Sequence, residues 1–290
     1  MNLSLFVIIP LLTVLLILFS KSIRQTRLIA AIGMSVQLVL SAILVVLYVS
    51  LRKHGNADQF VFVKDIEWFK SLNFNFTMGV DGISVALIGL TSIVIFAGVF
   101  ASWKMEDLHR EFFISLLVLA GGVFGFFITI DMFSMFVFYE LAVIPMYILI
   151  GIWGTGKKEY SAMKLTLMLM GGSALIIVGI LGLYFHSGVS GGPLTMNLMN
   201  LSKVHFPVEV QMFLFPFLFI GFGVLGALFP LHTWSPDGHA SAPTAVSMLH
   251  AGVLMKLGSY GVFRIAIYLL PEAARQMGPF FMVLATIGIV

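Results

Sequence analysis

The sequence predicts an all-α polytopic membrane protein, a helix bundle in which one helix is discontinuous. Three observations carry that prediction. The 290 residues are 60% hydrophobic and only 10% charged, with a mean hydropathy of +1.06; an ordinary globular domain has roughly 25% charged residues. Apolar runs near the length of about 20 residues that a membrane helix needs recur along the chain. One stretch, Ala227 to Arg264, interrupts this pattern with three prolines, three histidines, an aspartate, a lysine and an arginine. Broken backbone and charge are costly at membrane depth, so such a stretch marks a polar pathway.

The apolar runs place spans at Leu3 to Phe19, Leu28 to Leu51, Ile83 to Trp103, Phe112 to Ile130, Phe133 to Trp153, Leu165 to Phe185, Val210 to Phe229 and Ala245 to Leu270. A ninth, Phe280 to Val290, is too short to cross, which predicts a chain that stops inside a helix. The first run has no basic segment before it and no small-residue cleavage pattern after it, so it is expected to be a retained span. Lys21, Arg24, Arg27, Lys104, Arg110, Lys157, Lys158 and Lys164 fall on one side by span parity, and the positive-inside rule makes that side the inner one. Arg52, Lys53, Lys64 and Lys70 on the other side weaken the contrast. Between Arg52 and Gly82, FVFVKDIEW and LNFNFTM alternate apolar and polar residues and predict a hairpin lying on the outer membrane surface.

Absence of cysteine excludes disulfides and thiolate metal or iron–sulfur centres within this chain. The formal charge of +3 gives no indication of nucleic acid. The lipid bilayer is the expected surrounding.

Glu140 lies inside the fifth span, where a carboxylate either pairs with a cation or takes up a proton. Pro145 cannot donate to the Leu141 carbonyl, which opens an acceptor nearby. Lys256 lies about eleven residues from either end of the eighth span, a rise of roughly 16 Å that a lysine side chain does not bridge by snorkelling. Ser259 and Tyr260, at i+3 and i+4, are expected on its face as supporting polar groups. His232, His239 and His250 are spaced unlike any compact metal motif, so no metal site is predicted. His232 and His250 suit proton relay, because imidazole accepts on one nitrogen and donates from the other; His239 reads better as a hydrogen-bonded loop residue. Pro145 is expected to break the fifth helix, and Pro230, Pro236 and Pro243 to interrupt the seventh, with the break at Pro230.

The stretch FPLHTWSPDGHASAPTAVSMLHAGVLMKLGSYGVFR resembles the signature of the antiporter-like membrane subunits of respiratory complex I (NADH:quinone oxidoreductase), most closely the NuoM type. FYELAVIPMYILIGIWG resembles that family's fifth helix and DGISVALIGLTSIVIFAGVFASW its third. The resemblance implies an antiporter-like bundle of fourteen helices with two inverted five-helix repeats. Residues 1–111 would then hold the first three helices and the outer hairpin, 112–270 the first repeat, and 271–290 the start of the second. It implies that Glu140 and Lys256 are the proton-transfer carboxylate and lysine, with His232 and His250 on the hydrated axis. It also places a lysine on the seventh helix five residues before Pro230, where this chain has Leu225. Without that cation Glu140 needs another partner, His232 first and Lys164 second.

By the same resemblance the chain is a proton-translocating subunit that binds no cofactor, while NADH, FMN, iron–sulfur clusters and quinone belong to partner subunits in a bacterial inner membrane. Its expected neighbours are other membrane-arm subunits, including antiporter-like ones. Two alternatives stand beside it. One is a subunit of a multi-subunit cation/proton antiporter or membrane-bound hydrogenase; the other is a structural subunit idled by Leu225.

Overall fold

The computed structural model describes residues 1–69, 74–189 and 193–289. Helix α1 spans Leu5–Leu18 and α2 spans Ile23–Lys53, capped by Ser22, whose hydroxyl accepts from the Gln25 amide at 3.3 Å. At 31 residues, α2 rises roughly 46 Å, more than the roughly 30 Å hydrocarbon layer. The hairpin follows as predicted: β1, Val61–Phe69, pairs antiparallel with β2, Phe74–Val80. Lys70, Leu72 and Asn73, assigned to this loop from sequence, lie outside the described residues.

The bundle continues with α3 (Gly82–Ala101), α4 (His109–Ile128), α5 (Met132–Trp153) and α6 (Lys158–Ser187). After the short α7 (Leu198–Leu201), α8 (Val208–Leu225) re-enters the bundle. Among the described residues, α2, α3, α4, α5, α6 and α8 are long and apolar enough to cross a membrane. Helix α4 is the hub: 78% of its apolar window is buried, and α1, α2, α3 and α5 pack around it.

Hydrogen bonds gather at the two ends of the bundle, in the arrangement that span parity predicts. At one end Arg27 donates to the Met105 carbonyl at 3.0 Å, Arg110 to the Ser20 carbonyl, and Trp153 Nε1 to the Asp107 carbonyl at 2.7 Å. At the other end the Ile130 amide donates to Thr77 and the Leu198 amide to Ile130, each at 3.0 Å. Asp81 caps α3 through a reciprocal pair with Ser84 and forms an ion pair with Arg264. Phe60 and Tyr260 flank the Arg264 guanidinium at 5.0 and 5.1 Å from their ring centroids. Burial opposes ionisation of Asp81, but Arg264 and the Ser84 amide outweigh it and hold the carboxyl below its ordinary range.

Three expectations are corrected. The fifth helix does not open at Pro145; α5 runs unbroken from Met132 to Trp153, with Pro145 buried inside it. The seventh helix ends at Leu225, five residues before Pro230, because Gly226 caps it and Ala227 adopts φ +56°. The final helix, α12, runs Pro271–Ile289 and so starts well before Phe280. Its first turns, PEAARQM, are good helix formers of low hydropathy, and Pro271 occupies the first helical position that proline favours.

Asp131 caps α5 by accepting from the Ser134 amide at 3.0 Å and is 1% exposed between α4 and α5. Burial pushes its carboxyl up from 3.8 to about 6, against the opposing bonds from Ser134. The folded protein therefore binds this proton more tightly than the unfolded chain does. That stabilising contribution is full below pH 3.8 and lost as pH rises through about 6; it amounts to about 3 kcal/mol. Asparagine keeps the capping oxygen and removes the charge. The melting temperature of Asp131→Asn in detergent should therefore gain on that of the natural chain between pH 4 and pH 7, and an unchanging difference across that range would contradict the burial argument.

Candidate functional site

The site forms where the seventh helix breaks. After α8, residues 226–233 turn through a compact link and the chain resumes in α9, Trp234–Ser241. The break leaves few backbone groups free. The Ala227 amide donates to Val224 at 3.1 Å, the Leu228 amide to Gly223 at 2.8 Å, and Trp234 Nε1 to the Val224 carbonyl at 3.0 Å. Pro230, preceded by a cis peptide, lies inside this link. Pro236 does not interrupt a helix: it lies in the first turn of α9, where its missing amide has no intrahelical partner to lose. Pro243 is the N-cap of the next helix.

That helix, the predicted eighth span, alternates in winding. It begins as α10 (Thr244–Leu249), widens to a π-helix over His250–Leu254, returns to α11 (Met255–Gly261) and widens again over Val262–Ile267. Wide turns of this kind redirect side chains and concentrate at functional sites. Gly258 lets the helix touch the end of α8, since a Cβ there would lie 2.4 Å from the Gly226 nitrogen and 2.5 Å from the Phe222 oxygen.

His250 is fully buried and stacks between two rings, Trp234 at 5.0 Å and His239 at 4.2 Å between centroids. Neither of its ring nitrogens has a hydrogen-bond partner. His239, read from the sequence as a loop residue, belongs to α9 and completes this stack, with Nδ1 2.9 Å from the Ser247 hydroxyl. Sequence spacing concealed the contact because the chain reverses between α9 and α10. His232 is half-buried on the link, with Nδ1 buried and unpartnered, and lies against Phe229.

Lys256 follows the first π segment, and its ammonium donates to the Ala251 carbonyl at 2.8 Å. It shares an exposed face with Ala251, Ser259 and Phe263. An ammonium at mid-span is poorly suited to hydrocarbon, so this face is one for protein or water. Tyr260 departs from expectation: it is buried, packed edge-on to Phe126 and Phe127, and its hydroxyl accepts from Arg264 Nε at 3.3 Å. It supports the Asp81–Arg264 ion pair and does not share the Lys256 face.

Glu140 is half-buried on α5, with Oε1 buried and unpartnered. Neither expected cation is bonded to it. Lys164 pairs with Asp237 of α9 at 2.6 Å, and His232 makes no bond to the carboxylate. Leu225, the last residue of α8, is wholly buried. Among the described residues no group of His, Cys, Asp and Glu could hold a metal ion.

A helical membrane bundle with a broken helix, a half-buried carboxylate and a mid-span lysine belongs to the transporter-like class of membrane architectures. The chain belongs to the family described as NADH:quinone oxidoreductase/Mrp antiporter, TM, which matches residues 129–290. It is 37% identical over 223 residues to NAD(P)H-quinone oxidoreductase chain 4-2 of Synechocystis sp., covering 77% of this chain and 39% of that relative. With NAD(P)H-quinone oxidoreductase chain 4 2 of Trichodesmium erythraeum it shares 33% identity over 285 residues, covering 98% and 50%. The chain thus spans about half the length, or less, of these curated relatives. The fold matches a chain of respiratory complex I from Thermus thermophilus with bound NADH, at a TM-score of 0.81, 24% identity, and 98% and 56% coverage. It also matches a chain of the archaeal membrane-bound sulfane sulfur reductase, at a TM-score of 0.83, 22% identity, and 99% and 58% coverage.

Alanine at Gly258 should cost about 1–3 kcal/mol or more, because the atoms it strikes are backbone and cannot rotate away. Thermal unfolding of the purified variant should show that loss; an unchanged midpoint would mean the two helices do not touch as described.

Proposed function

We propose that this chain is a proton-translocating membrane-arm subunit of an NADH:quinone oxidoreductase in a bacterial cell membrane. Residues 112–270 serve as its first five-helix repeat, after the first three helices in 1–111, and 271–290 begin the second. NADH, FMN, iron–sulfur clusters and quinone belong to partner subunits, and other antiporter-like subunits adjoin this one. Protons pass through Glu140, His232, His250 and Lys256, with His239 added to that set.

His250 is the observation that carries the reading. A fully buried imidazole with both nitrogens free of protein partners is costly unless water or a proton engages it. Its ring is held between Trp234 and His239 at the helix break, so it can exchange a proton without reorienting. Phenylalanine at His250 preserves the stack and removes the proton carrier. In the assembled full-length complex, His250→Phe and Lys256→Met should each lower the rate of NADH-driven proton translocation by about 100-fold, the low end of what general acid–base groups contribute. Full pumping in assembled variants would defeat the assignment.

Leu225 favours a second reading, in which the subunit keeps the fold and place in the complex without transferring protons. Under that reading Leu225→Lys raises the proton stoichiometry in membrane vesicles, whereas an unchanged or lowered stoichiometry rules the idle subunit out.

A further inference from the structure

We propose that the end of the bundle where α1 turns into α2 binds an anionic phospholipid, its phosphate held by Arg27, Arg110 and Lys21 and one acyl chain lying along the exposed face of α1. The two arginines reach this place from different elements. Arg27, near the start of α2, donates Nη2 to the Met105 carbonyl of the α3–α4 link at 3.0 Å, and Arg110, in the first turn of α4, donates to the Ser20 carbonyl of the α1–α2 turn. Ser20 and Thr26 share a hydrogen bond between their hydroxyls at 2.7 Å. Turn, link and helix starts are thereby tied into one patch.

The protein leaves the charge of that patch uncompensated. Both guanidiniums are half-buried and bond to carbonyls, which remove none of their charge. Arg27 Nε is buried and has no partner among the described residues. Among those residues no ion pair reaches Lys21, Arg24, Arg27, Lys104 or Arg110. Glu106, Asp107 and Glu111 lie on the link and the first turn of α4, all exposed, and none of their carboxylates bonds to either arginine. A planar guanidinium matches two phosphate oxygens at once, a capacity that one carbonyl uses only in part. The start of α4 adds to the field: Leu108, its N-cap, offers no capping side chain, so the first amides keep their positive partial charge.

The surroundings of the patch select a lipid over a free anion. Trp103 opens the α3–α4 link, and Trp153 donates Nε1 to the Asp107 carbonyl within it at 2.7 Å; tryptophan in a membrane protein marks headgroup depth. Helix α1 has 14 residues, a rise of roughly 21 Å against a hydrocarbon layer of roughly 30 Å, and a short helix draws headgroups toward its ends. Leu12, Leu16 and Phe19, at i, i+4 and i+7, form an exposed apolar stripe that runs to the turn, where Phe19 is 81% exposed two residues before Lys21. An acyl chain covers such a stripe, and a soluble phosphate does not.

The test reads lipid binding, not pumping, so it stands even if the proton-translocation reading fails. Native mass spectrometry of the purified full-length protein gives the affinity of the first bound lipid for phosphatidylglycerol and for phosphatidylcholine. The first phosphatidylglycerol should bind at least about tenfold tighter, and Arg27→Gln, Arg110→Gln and Lys21→Gln should each lower that ratio roughly fivefold, the effect of one basic residue near a lipid surface. Lys53→Gln, at the opposite end of α2, should leave the ratio unchanged. Equal affinities for the two lipids in the natural protein overturn the proposal, and that measurement needs no variant. Lys21 is exposed and its side chain carries no bond in the fold, so Lys21→Gln locates the lipid even where an arginine variant fails to fold; a ratio unchanged in Lys21→Gln, or lowered in Lys53→Gln, places the lipid elsewhere and overturns it too. Glycerophosphoglycerol, the headgroup without its chains, should not compete at tenfold the dissociation constant of the lipid. Competition at that level means the patch takes a free phosphate ester and the lipid assignment falls.

Discussion

The break in the seventh helix depends on satisfying its own backbone, and the rest of the site depends on that break. In hydrocarbon each free amide or carbonyl costs several kcal/mol. The chain meets this demand locally, with the Leu228 amide on Gly223 and the indole of Trp234 on the Val224 carbonyl. The second bond has a further consequence. Holding Trp234 by its nitrogen fixes the plane of the ring, and that plane is the floor on which His250 and then His239 stack. One side-chain hydrogen bond thus closes a gap in the backbone and orients two titratable rings.

A similar economy governs the charges. Arg264 has Asp81, two aromatic faces and the Tyr260 hydroxyl; Lys164 has Asp237; Lys256 has a carbonyl of its own helix. Two of these pairings tie separate parts of the chain: Arg264 fixes the far end of the eighth span to the start of α3, and Lys164 fixes α9 to α6. The eighth span carries a π segment on either side of α11, and Lys256 lies between them.

Much of the fold was legible in the sequence because its driving term is compositional. Long apolar runs require membrane helices whatever their neighbours do, and alternation in FVFVKDIEW and LNFNFTM specified the hairpin. Features that depend on packing were not legible. Pro230 drew the break toward itself, but Gly226 and a left-handed Ala227 end the helix earlier. Pro145 stays inside α5, since a proline removes one hydrogen bond and the packed bundle tolerates that loss. No period in the sequence encodes a π turn. The His239–His250 contact requires the reversal between α9 and α10, and H-x10-H spacing alone carries no such information. Tyr260 shows the limit of i+4 reasoning: it neighbours Lys256 in sequence register but turns inward to Phe126 and Phe127.

Glu140 is the exception to the pairing of buried charge, and its placement explains why the exception has consequences. It lies on α5 at the level where α6 meets α8, as the contacts of Ser173 and Gly172 show. A charge that arrives at or leaves this carboxylate is felt at the end of α8, because opposed or like charges in a protein interior interact several-fold more strongly than in water. The end of α8 in turn touches Gly258 of the eighth span, two residues from Lys256. Packed backbone therefore connects the carboxylate to the lysine through α6, the last turn of α8 and Gly258, with no intervening charged side chain. A proton that arrives at or leaves Glu140 is a charge change at one end of that rigid path, and the ammonium of Lys256 lies at the other.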